Sequence, residues 1–215
     1  MGYVVYSVKL GDNVYNIANE YKTSIERIIV SNPNINMYRM RPGAKIIVPV
    51  RNVVDTQVSY SSEILEKDIQ NLKLIYPFLE VGEIGKSVLN KSLPYIKIGN
   101  GNKKVFYSAA FHANEWITSL VLMKFLEEYA KAFVENKNIF GHNAQALYYT
   151  TSLYIVPMVN PDGVDLVTGS IKNVEDAYKN AVQIANNFPE IPFPDGWKAN
   201  INGVDLKNYQ PICKV

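Results

Sequence analysis

Cysteine and histidine are both rare in this chain of 215 residues. The single cysteine, Cys213, excludes an internal disulfide framework. Histidine-based metal or acid–base chemistry can draw only on His112 and His142. No apolar run reaches the roughly 18 residues of a transmembrane helix. The first residues lack the basic start and apolar core of a secretory signal peptide, so the sequence predicts neither feature.

Charge is nearly balanced over the chain but unevenly distributed. The 22 basic and 20 acidic residues give a net charge of +2, which offers no general attraction for nucleic acid or a membrane surface. Residues 1–51 hold seven basic and three acidic groups, a net of +4 that leaves −2 for the remainder, and they contain every arginine. This shift, with Pro49 and the polar stretch 51–59, predicts a small first domain over 3–50 and a larger one over 56–215.

The first domain shows a strand period, then two helical periods, then a second strand. Thr23 and Glu26 have the spacing of a capping box that opens the second helix. The predicted order is therefore β-α-α-β, with a strand over Val4–Val8, helices that start at Val14 and near Ile25, and a closing strand over Ile46–Val48.

Three stretches of this domain, Tyr6–Ala18, Ile29–Ile35 and Met40–Pro49, resemble the LysM module. The resemblance implies binding of N-acetylglucosamine-containing glycans, such as peptidoglycan, in a shallow groove between the loop after the first strand and the loop after the second helix. The residues that map onto those loops are Gly11, Asp12, Asn13, Val14, Asn32, Pro33, Asn34 and Ile35. Asp12 and Asn32 are equally well explained as cap and turn residues.

The second domain alternates predicted helices and strands. Such an order indicates an α/β fold, with helices on the faces of a sheet. The predicted elements are a helix from Ile64 to Tyr76, a long amphipathic helix that includes Leu122–Phe133, and strands over Pro94–Ile98, Lys104–Phe111, Leu153–Val159 and Ile201–Leu206.

His112 and Glu115 directly follow the predicted buried strand 104–111. Sites in open α/β sheets form at the carboxyl ends of strands. A neutral imidazole and a carboxylate three residues apart can reach one Zn²⁺ together. Taken alone, a His-x-x-Glu pair is a weak signal that favours a structural interpretation.

The pair does not stand alone. The segments Val81–Ser87, Ser108–Thr118, Val156–Asp165 and Gly203–Leu206 look like the zinc carboxypeptidase family. They are most similar to its bacterial branch that cleaves γ-D-glutamyl–diaminopimelate bonds in peptidoglycan stem peptides, often behind LysM modules. The resemblance implies a mixed-sheet α/β/α domain and a zinc cofactor with His112 and Glu115 as its first two protein ligands.

Two further positions match the family pattern. Asn160–Gly163 matches a structural turn at a strand end. Lys198 falls where the family often places an oxyanion-stabilising arginine, and it can supply positive charge but no bidentate fork. A surface lysine is the alternative interpretation.

The resemblance covers only the first part of the family domain. The family's second zinc histidine and its general-base glutamate lie downstream of the Gly-Val-Asp strand, and residues 207–215 depart from the family pattern. A truncated or frameshifted reading frame, with an exposed sheet edge, is therefore one hypothesis. It leaves a glycan-binding protein with an inactive peptidase domain as the alternative function. His142 or a second subunit could otherwise complete the metal site, although His142 is expected in a surface loop.

The implied substrate suggests where the protein acts. Peptidoglycan as a partner indicates the bacterial cell wall, a spore compartment, or cytoplasmic recycling of wall fragments. The residues leave these three locations open.

Overall fold

The computed structural model describes residues 2–207. The N-terminal unit consists of two antiparallel strands and of two short helices that lie between them in the sequence. The elements are β1 (Tyr3–Ser7), α1 (Val14–Glu20), α2 (Ile25–Ser31) and β2 (Lys45–Pro49). The register places Val5 opposite Ile47. The predicted β-α-α-β order is confirmed.

Both helices of this unit begin at a side-chain cap. Asn13 Oδ1 accepts from the Asn16 N–H at 2.9 Å, and Ser24 Oγ accepts from the Arg27 N–H at 3.3 Å. The predicted capping box was wrong by one residue, because Ser24 is the cap and Glu26 is therefore the second helical residue, not the third. Thr23 instead accepts a hydrogen bond from the Arg27 guanidinium.

A small apolar core and one buried amide hold the unit together. Ile28, Ile46 and Val48 have no exposed surface. The Asn32 side chain joins α2 to β2: its Nδ2 donates to the carbonyls of Ile28 and Ile47, and its Oδ1 accepts from the Ile47 N–H, all within 2.8 Å. Such a satisfied buried amide fixes how the helix packs on the strand.

The second unit is organised around a four-stranded mixed sheet. The strand order is β3-β4-β8-β5, antiparallel except for the parallel β5–β8 pair. Its elements are α3 (Ser62–Ile75), β3 (Glu80–Lys86), β4 (Ser92–Ile98), β5 (Lys103–Ser108), α4 (Ile117–Val134), β6 (Asn138–Ile139), β7 (His142–Asn143), α5 (Ala144–Thr150), β8 (Thr151–Val156), α6 (Pro161–Val167) and α7 (Asp176–Ala185). The predicted α/β class is confirmed.

Several element boundaries differ from the prediction. The strand predicted over 104–111 ends at Ser108, and the one predicted over 153–159 ends at Val156. Residues 201–206 form turns, not a strand. Asn160–Gly163 is not an isolated turn but the start of α6, because Asn160 caps the helix and Pro161 occupies its first position.

β5 lies at an edge of this sheet. Within the described residues its only strand partner is β8. Phe106 is 62% exposed and Tyr107 is 49% exposed, so both faces of the strand carry uncovered aromatic surface. No helix within residues 2–207 is long and apolar enough to cross a membrane.

The two units contact each other directly. The Ser31 hydroxyl of α2 donates to the Ile75 carbonyl at the end of α3, at 2.8 Å. In the connecting segment, Val53 and Val54 are buried in the core of the second unit. The polar stretch that marks the predicted boundary therefore includes residues that pack against the larger unit.

Candidate functional sites

The chain leaves β5 through a constrained bend that places His112. Ala110 has a positive φ of 50°, which is unusual for a residue other than glycine. Its N–H donates to Thr118 Oγ1 at 3.0 Å, and its carbonyl accepts from the Asn160 N–H at 3.0 Å. A single 3₁₀ turn, Ala113–Glu115, then brings Glu115 back beside His112.

A second segment closes over the same turn. The N–H groups of Ala113 and Asn114 donate to the carbonyls of Lys198 and Trp197 at 3.0 and 3.1 Å. The Asn160 side chain bridges this segment to the bend by donating to the carbonyl groups of Phe111 and Ala199. The His112 backbone is therefore held from both sides.

The two sides of the His112 imidazole face two carboxylates. Nδ1 lies 2.9 Å from Glu115 Oε1, and Nε2 lies 3.6 Å from Asp205 Oδ1. His112 is only 8% exposed, whereas the Glu115 side chain is 51% exposed. The His112–Glu115 pair thus combines a buried imidazole with a solvent-exposed carboxylate. A second carboxylate, that of Asp205, lies on the other side of the ring, and the sequence analysis did not identify it.

This donor set fits two ligand positions of a zinc ion. Zinc bonds to nitrogen and oxygen of about 2 Å place two ligand atoms of one ion roughly 3 Å apart, close to the observed Nδ1–Oε1 distance. A carboxylate facing the other ring nitrogen is the usual second partner of a metal-bound histidine. Within residues 2–207, however, no group of three His, Cys, Asp or Glu residues could hold a metal ion.

His142 lies far from this pair. It belongs to the short β6–β7 hairpin that follows the carboxyl end of α4, whereas His112 lies just before the start of that helix. The 18 residues of α4 span about 27 Å. His142 is exposed and pairs with Ile139, so it lies in a hairpin, not in the predicted loop, and cannot ligate the same ion as His112 within one copy of this fold.

Two buried aspartates of α6, Asp162 and Asp165, are occupied by structural hydrogen bonds. Asp162 accepts from the Ser87 hydroxyl and the Leu89 N–H, both at 2.9 Å. Asp165 accepts from Ser62 and lies 2.6 Å from Lys91 Nζ. These carboxylates tie α6 to the β3–β4 turn and to α3, a role that the sequence did not reveal.

Lys198 is exposed beside the His112 turn. It lines a cavity of about 630 Å³ together with Asn114, Trp197 and Asp205. Its carbonyl accepts from the Ala113 N–H, and the predicted charge-supplying role of its side chain stays a prediction.

In the N-terminal unit, four of the eight predicted glycan-binding side chains already have structural partners. Val14 is buried, Asn13 caps α1, and Asn32 joins α2 to β2. Asp12 accepts from the Tyr6 hydroxyl and the Lys9 N–H, both at 2.7 Å. These bonds, the Lys9 N–H first, hold the pKa of Asp12 below its usual value, and the Asp12 contact helps raise the pKa of Tyr6 to about 12.

The other predicted residues lie at the surface. Gly11, Pro33 and Asn34 are exposed, and Ile35 is half-buried. Two tyrosines that sequence reasoning missed lie close together nearby: the ring centroids of Tyr15 and Tyr38 are 6.4 Å apart. Tyr15 falls on the solvent side of the α1 period, which could have identified it.

Comparisons with known proteins place both units. The zinc carboxypeptidase family pattern matches residues 65–210, and the LysM domain pattern matches residues 6–49. The chain belongs to the zinc carboxypeptidase family.

Two curated relatives and one solved structure illustrate the similarity. Gamma-D-glutamyl-L-diamino acid endopeptidase 1 of Lysinibacillus sphaericus is 46% identical over 159 residues, which is 74% of this chain and 39% of the relative. Uncharacterized protein YqgT of Bacillus subtilis (strain 168) is 32% identical over 98% of this chain and 62% of its own length. Bovine thrombin-activatable fibrinolysis inhibitor, in complex with tick carboxypeptidase inhibitor, aligns with a TM-score of 0.47 and 20% identity over 67% of this chain and 38% of that one. The chain therefore spans less than two thirds of the length of these relatives.

Proposed function

We propose that this chain acts as a zinc-dependent peptidase on γ-D-glutamyl–diamino acid bonds of peptidoglycan stem peptides, and that its LysM module binds the glycan of the same polymer. The His112–Glu115 pair, with donor atoms 2.9 Å apart at the end of a sheet strand, carries the metal part of the proposal. The bond type is supported by the activity for which the 46% identical Lysinibacillus sphaericus relative is named.

Each residue of the site would have a distinct task. His112, through Nδ1, and Glu115 would hold zinc, which when bound lowers the pKa of a water molecule and polarises a carbonyl group. Asp205 faces Nε2 and favours the tautomer with its proton there, so that the Nδ1 lone pair stays free for the metal. Lys198, at the neighbouring cavity, would add positive charge near an oxygen that becomes negative during the reaction.

The LysM module would contribute binding, not chemistry. Its exposed loop positions, Gly11, Asn13, Pro33 and Asn34, offer backbone and amide groups to the N-acetyl groups of a glycan. Glycan binding at this module would bring the protein to the cell wall, to a spore compartment, or to wall fragments in the cytoplasm.

A second function is favoured by one observation. Within the described residues no third metal ligand accompanies His112 and Glu115. A catalytic zinc site normally has three protein ligands, and a two-ligand site binds the metal much more weakly. The alternative function is a glycan-binding protein in which the peptidase unit, over the residues that the structure describes, does not hold a catalytic zinc ion by itself.

Zinc analysis and a hydrolysis assay on the purified chain separate the two functions. The peptidase proposal predicts zinc-dependent release of the diamino acid from L-Ala-γ-D-Glu-meso-diaminopimelate. It predicts loss of at least about 100-fold in rate for His112→Ala and Glu115→Gln, because each change removes a zinc ligand. His142→Ala is the matched control, since that histidine lies beyond α4, and it should keep full activity.

Two results would contradict parts of this proposal. A wild-type chain that binds purified peptidoglycan but hydrolyses nothing at saturating zinc would refute the peptidase and support the alternative function. A chain that is not retained on peptidoglycan would refute the LysM role in both.

A further inference from the structure

Two tyrosine rings of the N-terminal unit stand outside its apolar core. Tyr15 is 55% exposed and Tyr38 is 66% exposed. Their ring planes are inclined at 50°, so neither ring covers a face of the other. Tyr6 and Tyr21 of the same unit pack against each other within the fold, with ring centroids 5.7 Å apart. The exposed pair is therefore not required to complete the core.

The two rings come from the two loop regions that flank the proposed groove. Tyr15 is the second residue of α1 and directly follows the loop that contains Gly11 and Asn13. Tyr38 lies in the segment between α2 and β2, after Pro33 and Asn34. A glycan chain that contacts both loops would therefore meet both rings, whose centroids are 6.4 Å apart.

The backbone under each ring is firmly held. Next to Tyr15, Val14 is 1% exposed and Asn13 caps the helix. Next to Tyr38, Met37 is 2% exposed, and the Tyr38 N–H donates to Asn36 Oδ1 at 3.0 Å. Rings on a fixed backbone lose little conformational entropy when a ligand binds, which favours a binding role.

The chemistry of the pair suits a sugar ring. Aromatic faces carry partial negative charge and attract the C–H groups that line one face of a pyranose. Within residues 2–207, neither tyrosine hydroxyl has a hydrogen-bond partner, so both can also bond to sugar hydroxyls. The exposed amide of Asn34 adds a donor and an acceptor for an N-acetyl group.

We propose that Tyr15 and Tyr38 form a stacking platform for N-acetylhexosamine units of a glycan chain. This inference rests on the proposed glycan-binding function, and it names side chains that determine affinity in that groove. Binding of a peptide at these rings would contradict the proposal, and the test below distinguishes the two ligands.

The test measures binding of an N-acetylglucosamine pentasaccharide to the full chain by calorimetry. Tyr15→Ala and Tyr38→Ala should each weaken binding about tenfold, whereas Tyr15→Phe and Tyr38→Phe should stay within about twofold because the ring face remains. Val5→Ala is the matched control: Val5 is 62% exposed on β1, outside both loops, and its loss should change nothing.

Saturation-transfer NMR supplies an independent readout. Irradiation of the tyrosine rings should transfer most strongly to the C–H protons of one sugar face, and this transfer should vanish in the doubly substituted alanine variant. Thermal unfolding of each variant shows whether an affinity loss reflects loss of fold. If an alanine variant does unfold, the saturation transfer in the folded wild-type chain decides: transfer to the C–H protons of one sugar face supports the platform, and transfer that shows no preference for either face overturns it.

Three outcomes would overturn the platform in distinguishable ways. Unchanged affinity in both alanine variants would remove it and leave the proposed glycan-binding function intact. Failure of the wild-type chain to bind the pentasaccharide or peptidoglycan would remove both. Saturation transfer from the rings to a stem tripeptide, but not to the pentasaccharide, would identify a peptide site instead.

Discussion

Asp68 is a buried carboxyl group whose protonation is coupled to folding. It is 6% exposed on α3 and accepts a hydrogen bond from the fully buried Tyr60 hydroxyl at 2.8 Å. Burial raises the pKa of Asp68 to about 6, although the Tyr60 hydrogen bond opposes this shift. Because the folded state holds this proton more tightly than the unfolded state, Asp68 makes stability fall as pH rises from about 4 to about 6.

The variant Asp68→Asn should remove that part of the pH dependence. An amide oxygen can still accept from Tyr60, and it carries no charge that burial would penalise. The wild-type free energy of unfolding should drop, relative to the variant, by up to about 3 kcal/mol between pH 4 and pH 7. Urea unfolding at both pH values measures this difference. Asp176→Asn is the control, since its side chain is 94% exposed, and a wild-type-like pH slope in Asp68→Asn would contradict the assignment.

For single residues, the sequence predicted which side chains could bind a metal better than it predicted their burial and hydrogen-bond partners. His112 and Glu115 were identifiable from the sequence because they are each other's partner and lie only three residues apart. Asp205 was not, because its position behind the imidazole depends on a fold that joins residues 93 positions apart. Asn32 looked available for a ligand, yet hydrogen bonds to both α2 and β2 occupy its amide. Burial and long-range pairing cannot be read from residue type alone.

Among the secondary-structure elements, α6 shows why some boundaries were mispredicted. The stretch Asn160–Gly163 has turn-forming residues, and its helix is only seven residues long, too short to be stable alone. The contacts of Asp162 and Asp165 with distant elements stabilise it. Over Ile201–Leu206 a strand was predicted and turns are found. The Asn200 side chain accepts from the Val204 N–H, and the Asn200 N–H donates to the Val204 carbonyl, so these groups are not available for strand pairing.

Removal of the Asp162 carboxylate should therefore destabilise the peptidase unit. Asp162→Ala removes a buried carboxylate and leaves the partly buried Ser87 hydroxyl and Leu89 N–H without their acceptor, so we expect a loss of about 1–3 kcal/mol in the free energy of unfolding. Asp195→Ala, an exposed position, should change stability by less than about 0.5 kcal/mol. Equal urea midpoints for the two variants would show that α6 is not held by this anchor.

In the whole molecule, the two units are connected by hydrogen bonds and packing in addition to the covalent linker. The buried Glu127 carboxylate of α4 accepts from the N–H groups of Val53 and Val54, at 2.5 and 3.3 Å, and from Lys124 at 3.1 Å. The Ser31–Ile75 hydrogen bond adds a second connection between α2 and α3. The composition shift predicts a boundary in this segment, but composition carries no information on whether the segment is free or packed.

Glu127→Ala should release the connecting segment from α4. Two buried N–H groups lose their acceptor, so we expect about 2–4 kcal/mol of destabilisation and faster amide hydrogen exchange at Val53 and Val54. The β1–β2 pairing of the LysM module should keep its protection, because its own core and the Asn32 amide hold it. Glu128→Ala is the control one residue further along α4: its side chain is 43% exposed, and its pair with Lys124 should contribute less than about 1 kcal/mol. If the two variants exchange alike at Val53 and Val54, Glu127 does not hold the segment, and the packing of the two units must depend on the Ser31 contact and apolar contacts.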